Sequence, residues 1–459
     1  MTVVPTEPEV EPETEEEESD VRGHGWKRLS ATPSLPEVNR SINVPGKQHY
    51  WRRALAFAGP GYLIAVGYMD PGNWATDIAA GSAYNYSLLS VVLIANFIAM
   101  YLQALSAKLG IVAERDLAQA CRDAYSRPTS IGLWLSAEIG IIACDIAEVL
   151  GAAIALNLLF HLPMVWGVAL TAGDVLIVLA LQHKGFRLIE AFVITLILTM
   201  MVIFGLEIAY SRPDWGDTMR GFVPTAQIVT DPRMLYIALG ILGATVMPHN
   251  LYLHSSIVQT RRHGRSVADI RDALKYAYTD STVALTFALC VNAAILIVSA
   301  ATFYRTGHHA VGEIQDAYKL LSPLLGVAVA TPLFAVALLA SGQNSTLTGT
   351  LAGQIVLEGF TEFRIPQWLR RMISRLLAIV PSIIVVALYG DRGIGTLLLF
   401  SQVVLSAQLS FAVFPLIQFT SDRSKMGEFV NGPLTRYIGW GLAMLIAGLN
   451  VYLVITALA

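Results

Sequence analysis

The sequence predicts an all-α integral membrane protein with about eleven transmembrane helices, on the basis of low charge, long apolar runs and two helix breaks. Of the 459 residues, 54% are hydrophobic and 14% are charged. Soluble domains carry about 25% charged residues, so this chain has too little polar surface to cover itself in water. Nearly chargeless runs, each close to the length that crosses about 30 Å of hydrocarbon, lie at Ser87–Ser106, Val165–Leu181, Leu188–Ile203 and Ala443–Ala459.

The predicted helices follow one another along the chain with a consistent charge pattern. Their centres lie near residues 67, 98, 142, 172, 198, 245, 289, 338, 380, 406 and 447. With the N-terminus in the cytoplasm, only six of the 31 Lys and Arg residues fall in outer loops, which is the bias that the positive-inside rule describes. These six are Arg212, Arg220, Arg233, Arg305, Lys319 and Arg392. The pattern predicts a multi-pass protein of the cell membrane with its C-terminus outside.

The chain consists of two regions that differ in composition. Residues 1–50 are expected to form a disordered acidic cytoplasmic tail, because nine of the first twenty residues are Asp or Glu and no apolar face is present. No basic region with an apolar core precedes Trp51, so no signal peptide is predicted. Residues 51–459 form the predicted transmembrane domain. Within it we expect one repeat at about 54–211, a second at about 232–421 and an extra helix at about 433–458.

The sequence carries no sign of enzymatic or thiol chemistry. No G-x-x-x-x-G-K-[ST] motif occurs, so the chain has no nucleotide-driven motor of its own. His249 and His254 do not form the H-E-x-x-H pattern of a zinc hydrolase. Cys121, Cys144 and Cys290 are scattered, which argues against a thiolate metal site. We therefore expect a protein that is not an enzyme, holds no prosthetic group and draws on an ion gradient or on the gradient of its own substrate.

Two predicted helices are interrupted at mid-membrane depth. The first contains Ala65–Asn73 and the sixth contains Gly243–Asn250. Pro71 and Pro248 each remove a backbone donor and clash with the preceding turn, so both helices should unwind there. Freed backbone groups are tolerated in a bilayer only where they line a cavity. The breaks lie five helices apart, an odd number, which predicts an inverted-repeat transporter with a site between two discontinuous helices.

The side chains at the two breaks suggest a metal site. Asp70 offers a charged oxygen, Asn73 a neutral oxygen and Met247 a polarisable thioether, and the backbone carbonyls of Gly67 and Ala244 can add to them. Oxygen ligands alone suit Mg²⁺ or Ca²⁺, whereas a sulfur ligand favours softer first-row metals. The alternative is that Met247 only fills a gap in the packing, as most buried methionines do.

These motifs resemble the Nramp family of proton-coupled divalent metal transporters, over everything from about residue 52 onward. The resemblance lies in Asp70–Asn73, Met247–Asn250, Gly342–Gln354 and Ser401–Gln408. It implies a LeuT-like fold of two inverted five-helix repeats with discontinuous helices 1 and 6, plus an eleventh helix. It also implies import of Mn²⁺ or Fe²⁺, with Cd²⁺ and Co²⁺ as further cargo, in symport with protons.

The resemblance carries metal-ligand roles onto particular residues of this chain. Asp70, Asn73, Met247 and the Ala244 carbonyl match the family's ligands. In the tenth helix either Gln402 or Gln408 can supply a further contact, and both remain open. The family often has Ala at the position of Gly67, which matters little for a backbone carbonyl. Relatives that carry Mg²⁺ and lack the methionine are a poor match.

A set of charged residues suggests a proton route. Glu138, Asp145 and Glu148 in the third helix fall within an arc of about 80°, on one face. Three acids inside hydrocarbon should face the bundle interior and have partners. We expect protons to pass from Asp70 and His249 through Glu148 and Asp145 toward the cytoplasm, with Arg375 in the ninth helix as the counter-charge. The alternative is a static ion network that holds helices together.

Other functions explain the sequence less well. An organic-solute symporter of the same fold would capture a substrate carboxylate, which an anionic Asp70 would repel. A receptor with this core would be expected to carry a large soluble domain. The expected partners are therefore metal ions, protons and lipid, with no nucleic acid, and a monomer suffices.

Overall fold

The computed structural model describes residues 26–28, 33–44, 50–173, 186–309, 311, 314–390 and 392–458. Residues 1–25, which contain the acidic run, and the end of the Val165–Leu181 run lie outside this part. The helices of the first half are α1 (Tyr50–Phe57), α2 (Pro60–Gly67), α3 (Pro71–Tyr84), α4 (Leu89–Ala113), α5 (Leu117–Ala124), α6 (Arg127–Phe160), α7 (Met164–Leu170), α8 (Phe186–Ser211), α9 (Trp215–Gly221) and α10 (Gln227–Thr230).

The second half repeats this helical organisation. Its helices are α11 (Pro232–Thr245), α12 (Pro248–Ile257), α13 (Val267–Thr302), α14 (Ile314–Leu325), α15 (Ala330–Thr361), α16 (Gln367–Tyr389), α17 (Arg392–Thr420), α18 (Arg423–Met426) and α19 (Pro433–Leu458). In the described part, extended structure is limited to two short strands, β1 (Ile42–Asn43) and β2 (Arg261–Arg262), which pair in parallel.

The structure agrees with the predicted membrane architecture. Within the described residues, eight helices are long and apolar enough to cross a membrane. The pair α2–α3, the helix α15 and the shorter apolar stretch Met164–Gly173 occupy the three remaining predicted positions. The outer helices α8, α16 and α19 expose large apolar side chains such as Val202 and Leu388. Such faces are stable against lipid and unfavourable in water.

Both predicted breaks are confirmed. The first falls between α2 and α3, where Asp70 caps α3 through its side chain and Pro71 is the first helical residue. The second falls between α11 and α12, where Met247 takes the cap position and Pro248 follows. Proline suits the first turn of a helix because its missing N–H would have no partner there. Each proline therefore follows the break and begins the second half-helix.

Two groups of helices pack around the broken pair. The helix α13 lies along α2, α3 and α4, whereas α6 lies along α15, α16 and α17. Glycines allow the closest approaches: a Cβ at Gly61 would lie 2.6 Å from the Asp280 carbonyl carbon, and one at Gly81 would lie 2.5 Å from the Leu296 oxygen. The broken helices are thus wedged between the two groups.

Part of the segment expected to be disordered is packed. Residues 33–44 lie against the helix ends, with Leu35 only 2% exposed and β1 paired to β2. The acidic run ends by Asp20, and after it come apolar residues such as Trp26, Leu35 and Val44. The composition of the first twenty residues therefore does not extend to the whole of residues 1–50.

Candidate metal site

Three hydrogen-bond acceptor oxygens surround one point between the two helix breaks. The side-chain nitrogen of Asn73 lies 2.7 Å from Asp70 Oδ1, 3.1 Å from the Ala244 carbonyl oxygen and 3.4 Å from the Gly67 carbonyl oxygen. These acceptors come from both broken helices. Because each carries negative charge or partial charge, the point that they surround favours a positively charged group.

The breaks make these carbonyls available. Gly67 ends α2 and Ala244 is the penultimate residue of α11. The last carbonyls of a helix have no partner within it, and the negative end of the helix dipole lies there. Two half-helices that both end at the same place present oxygen atoms to a cation without any additional side chain.

Asp70 has unused capacity to bind a cation. Its Oδ1 accepts a hydrogen bond from the Asn73 backbone N–H at 2.8 Å, whereas its Oδ2 has no hydrogen-bond partner among the described residues. The side chain is fully buried. A buried carboxylate oxygen without a partner is costly, and a bound cation would remove that cost.

The orientation of the Asn73 amide is set by a residue that the sequence analysis did not identify. Asn292 in α13 donates from Nδ2 to Asn73 Oδ1 at 3.3 Å and to the Tyr68 carbonyl at 2.8 Å. Rotation of the Asn73 amide about its last torsion would exchange nitrogen for oxygen and turn the oxygen toward Asp70. An amide inside the apolar run of the seventh helix was the available signal for Asn292.

Met247 is fully buried at the second break. It packs with Ala143, Cys144 and Leu405. Its thioether is the soft member of the predicted donor set, next to the hard oxygens of Asp70. Among the described residues, no group of three or more His, Cys, Asp or Glu side chains could hold a metal ion.

The two candidate glutamines lie in different places. Gln402 is fully buried against the first break, since a Cβ at Gly72 would lie 2.0 Å from its Nε2, and its Oε1 has no partner among the described residues. Gln408 lies against Gly140 in α6, since a Cβ there would lie 3.2 Å from its Oε1. This placement favours Gln402 as the further metal contact.

Asn250 fits closely against the first half-helix. A Cβ at Gly67 would lie 2.3 Å from Asn250 Nδ2, so the glycine leaves room for this amide. The same nitrogen lies 3.5 Å from the Ile64 carbonyl, and Asn250 Oδ1 has no partner among the described residues. The second motif thus contacts the first half-helix directly.

The three acids of the third helix are paired with arginines. Arg371 contacts Asp145 Oδ1 at 2.8 Å and Glu148 Oε2 at 3.1 Å, and Arg375 lies 3.3 Å from Glu148 Oε2. Glu138 pairs with Arg370 at 2.9 Å. Ion pairing compensates the cost of placing these charges inside the bundle.

Arg370 and Arg371 are functional candidates that the sequence analysis missed. It counted both only among the Lys and Arg residues on the cytoplasmic side, whereas the structure places them in the first turns of α16, with Arg371 one turn before Arg375. Positive charge near a helix end is typical of a cytoplasmic loop, and only tertiary packing shows that these side chains point inward. The spacing to Arg375 was the available signal, because residues four apart lie on one helix face.

The predicted link from the metal site to these acids is short. Cys144 Sγ lies 3.9 Å from His249 Nε2 and 3.7 Å from Glu148 Oε1. The Nδ1 atom of His249 has no partner among the described residues. Titratable groups therefore extend from the metal site toward the arginine cluster with one thiol between them.

The motif in α15 supports the same cluster. Ser345 Oγ donates to Glu148 Oε1 at 3.1 Å, and Thr346 Oγ1 lies 3.4 Å from Glu148 Oε2. Arg375 Nη2 donates to Thr346 Oγ1 at 2.6 Å. The hydroxyl groups of Gly342–Gln354 thus position the acid and its counter-charge.

Comparison with known proteins gives consistent matches over nearly the whole chain. The Nramp family profile, natural resistance-associated macrophage protein-like, matches residues 61–456. The divalent metal cation transporter MntH of Listeria innocua is 59% identical over 437 residues, which cover 95% of this chain and 98% of the relative. The crystal structure of the Eremococcus coleocola manganese transporter with a bis-isothiourea compound has a TM-score of 0.85 at 40% identity, covering 92% of this chain and 90% of that one. The closed form of Mhp1, a nucleobase-cation-symport-1 family transporter, has a TM-score of 0.58 at 15% identity over 93% of each chain, which is a likeness of fold.

Two broken helices around buried polar groups, in a bundle with apolar outer faces, define a multi-pass membrane transporter of LeuT-like fold. Within that class, the chain belongs to the Nramp family of divalent metal cation transporters.

Proposed function

We propose that this protein imports divalent transition-metal ions together with protons. The cargo is Mn²⁺ or Fe²⁺, with Cd²⁺ and Co²⁺ also accepted. The observation that carries the proposal is the convergence of Asp70 Oδ1 and the Gly67 and Ala244 carbonyls on one point within 3.4 Å of the Asn73 nitrogen. The relatives support it, because one is a divalent metal cation transporter and another is a manganese transporter.

The donor set explains why a transition metal is preferred. Asp70, Asn73 and two carbonyls would suit Mg²⁺ or Ca²⁺ as well as Mn²⁺. The Met247 thioether binds soft ions and adds nothing for hard ions, so it shifts the preference toward Mn²⁺, Fe²⁺, Co²⁺ and Cd²⁺. One net negative charge and mixed ligands hold a divalent ion without trapping it, as a transport site requires. Gln402 adds a ligand in some conformations.

Alternating access requires one side of the site to close while the other opens. The start of α2 is held by Asp280, which accepts hydrogen bonds from Gly59 N–H at 3.2 Å and Gly61 N–H at 2.6 Å. Arg261 donates to the Ala58 carbonyl at 2.8 Å. These bonds keep the inner half of the first helix in place, and metal release to the cytoplasm requires them to break.

Proton coupling follows the acids of the third helix. A proton released when Asp70 binds metal passes by way of His249 to Glu148 and Asp145, and Glu138 lies further along the same face. Supporting this, Cys144 Sγ lies within 3.9 Å of His249 and 3.7 Å of Glu148. Binding of a divalent cation disfavours a proton on the same carboxylate, which links the two ions energetically.

The proposal includes the membrane and the orientation. The protein works in the cell membrane, with its N-terminus in the cytoplasm and its C-terminus outside, since most Lys and Arg residues then lie inside. Repeat one spans about 54–211, repeat two about 232–421, and the extra helix about 433–458.

Uptake into proteoliposomes tests the proposal. Wild-type protein is expected to take up Mn²⁺ and to acidify the lumen, as a trapped pH-sensitive dye would report. Asp70→Asn removes the charged ligand and is expected to abolish uptake, whereas the exposed carboxylate variant Asp316→Asn serves as a matched control and keeps it. Absence of Mn²⁺ uptake by the wild type, or full uptake by Asp70→Asn, would overturn the proposal.

A further inference from the structure

A packed segment ahead of the first helix connects the two helix groups. We call residues 26–28 and 33–44 the strap. It lies across the ends of α4 and α15 and next to β2, on the side where the chain enters α1 and α2. None of its residues belongs to the metal site or to the charged cluster, so its contacts serve neither of those sites.

One end of the strap is fastened to the group around α13. Arg40 Nη2 pairs with Glu114 Oε1 at 2.8 Å, at the residue that ends α4. The Arg40 backbone N–H donates to the Gln259 carbonyl at 2.9 Å. Ile42–Asn43 then pairs in parallel with Arg261–Arg262, which leads into α13.

The other end is fastened to the group around α6. The Leu35 N–H donates to Glu358 Oε2 in α15 at 3.2 Å, and Leu35 itself is buried. Ser34 Oγ donates to Asp116 Oδ2 at 2.6 Å, at the cap of α5, which packs on α15. Trp26 lies edge-on to Phe419 in α17, with ring centroids 5.7 Å apart.

The strap also reaches the inner half of the first helix. Arg261 is the strand partner of Ile42, and its guanidinium donates to the Ala58 carbonyl just ahead of α2. That guanidinium also pairs with Glu190 in α8 at 2.7 Å. A shift of the strap therefore acts on the backbone just ahead of α2, the half-helix that ends at Gly67.

We propose that the strap holds the two helix groups together and keeps the N-terminal side of the transport path closed, so that opening on that side requires its release. This inference rests on the alternating access of the proposed function. The two groups cannot separate while one short segment is bonded to both, because a chain of this length has little slack. Each bond present only in the closed arrangement shifts the population toward that arrangement.

The native cysteines report release of the strap and opening of the path separately. Cys121 is buried in α5, beneath the strap, and Cys144 is buried beside Met247 at the metal site. Cys290 lies in the middle of the membrane-spanning helix α13, out of reach of a water-borne reagent, so the wild-type protein serves as the reference. A membrane-impermeant maleimide is added to sealed vesicles that present the N-terminal face outward, and labelling of each cysteine is measured by peptide mass spectrometry.

The test compares three variants with the wild type. Glu358→Ala combined with Arg40→Ala removes one side-chain attachment on each side of the strap, the acceptor of the Leu35 N–H in α15 and the partner of Glu114 at the end of α4. Lys27→Ala is the control, because it removes one positive charge from an exposed strap position. We expect the double variant to label Cys121 and Cys144 faster by on the order of tenfold relative to the wild type, and Lys27→Ala to match the wild type. If the double variant unfolds, so that Cys290 is labelled as well, Arg40→Ala alone is judged by the same criterion.

The remaining outcomes overturn the inference. Faster labelling of Cys121 with unchanged Cys144 would show that the strap covers the protein without closing the path. Unchanged labelling of both would show that its attachments are not limiting. Labelling needs no metal, so the strap inference can be tested apart from transport. If the expected labelling pattern is seen in a protein that does not carry Mn²⁺, the strap inference stands and only the proposed transport function is refuted.

Discussion

Replacing Glu148 by Gln is expected to separate metal movement from proton movement. Glu148 Oε2 contacts Arg371 at 3.1 Å and Arg375 at 3.3 Å. Glutamine keeps the shape but removes the charge, so both arginines lose a carboxylate that faces them. Breaking a buried ion pair from one side costs about 3–5 kcal/mol, so the variant should be measurably less stable. It also lacks a group that can take up and release a proton.

A matched variant separates the two consequences. Glu138→Gln removes a charge from the same helix face, but Glu138 is 21% exposed, pairs with Arg370 and accepts a hydrogen bond from Trp134. A hydrogen-bonded charge at such a position contributes about 1–3 kcal/mol, so this variant should lose less stability. It should keep some proton entry, because Glu138 lies furthest from His249 along the proposed route.

The assay measures Mn²⁺ uptake and lumenal acidification in the same proteoliposomes, alongside the unfolding temperature of each protein in detergent. We expect Glu148→Gln to retain Mn²⁺ uptake while acidification falls to the level of protein-free liposomes. Unchanged protons per metal ion in Glu148→Gln, with only the unfolding temperature reduced, would refute the route and support a static network.

Three further predictions concern the metal site. Met247→Leu keeps the volume but removes the sulfur, so Ca²⁺ and Mg²⁺ should compete with Mn²⁺ for uptake, and continued exclusion of both would mean that the methionine is only packing. Gly67→Ala places a methyl group 2.3 Å from Asn250 Nδ2. This overpacking should lower the free energy of unfolding by about 1–3 kcal/mol and reduce Mn²⁺ uptake. An unchanged unfolding temperature would mean that the Asn250 amide has room to move. Asn292→Leu removes the donor that holds Asn73 Oδ1 away from Asp70 and should lower the KM for Mn²⁺ with little change in maximal rate, because the amide oxygen can then turn toward the metal. An unchanged KM would show that the Asn73 amide is oriented by other contacts.

The breaks and the donor types were predictable because they depend on local chemistry. Proline in a transmembrane run predicts an unwound segment at Pro71 and Pro248 whatever surrounds it. The periodicity of one helix likewise places Asp145 and Glu148 on one face. The structure brings Asn73 to the Ala244 carbonyl, which agrees with the expected meeting of both breaks.

Contacts between distant segments were not predictable in the same way. Arg371 reads as a loop cation until α16 is packed against α6. Asn292 gains its role only because α13 lies along α3. Leu35 follows a strongly acidic run, yet it is buried against helices more than three hundred residues further along the chain, to which its N–H donates through Glu358. Local composition predicts the character of the acidic run, but it cannot predict which distant residue a later residue such as Leu35 contacts.

X-ray absorption spectroscopy of Cd²⁺ bound to the purified protein tests the central claim most directly. The account predicts one sulfur neighbour among oxygen neighbours in the wild type, loss of that sulfur in Met247→Leu, and weak or absent binding in Asp70→Asn. An all-oxygen shell in the wild type, or unchanged binding in Asp70→Asn, would contradict a metal site between the two broken helices.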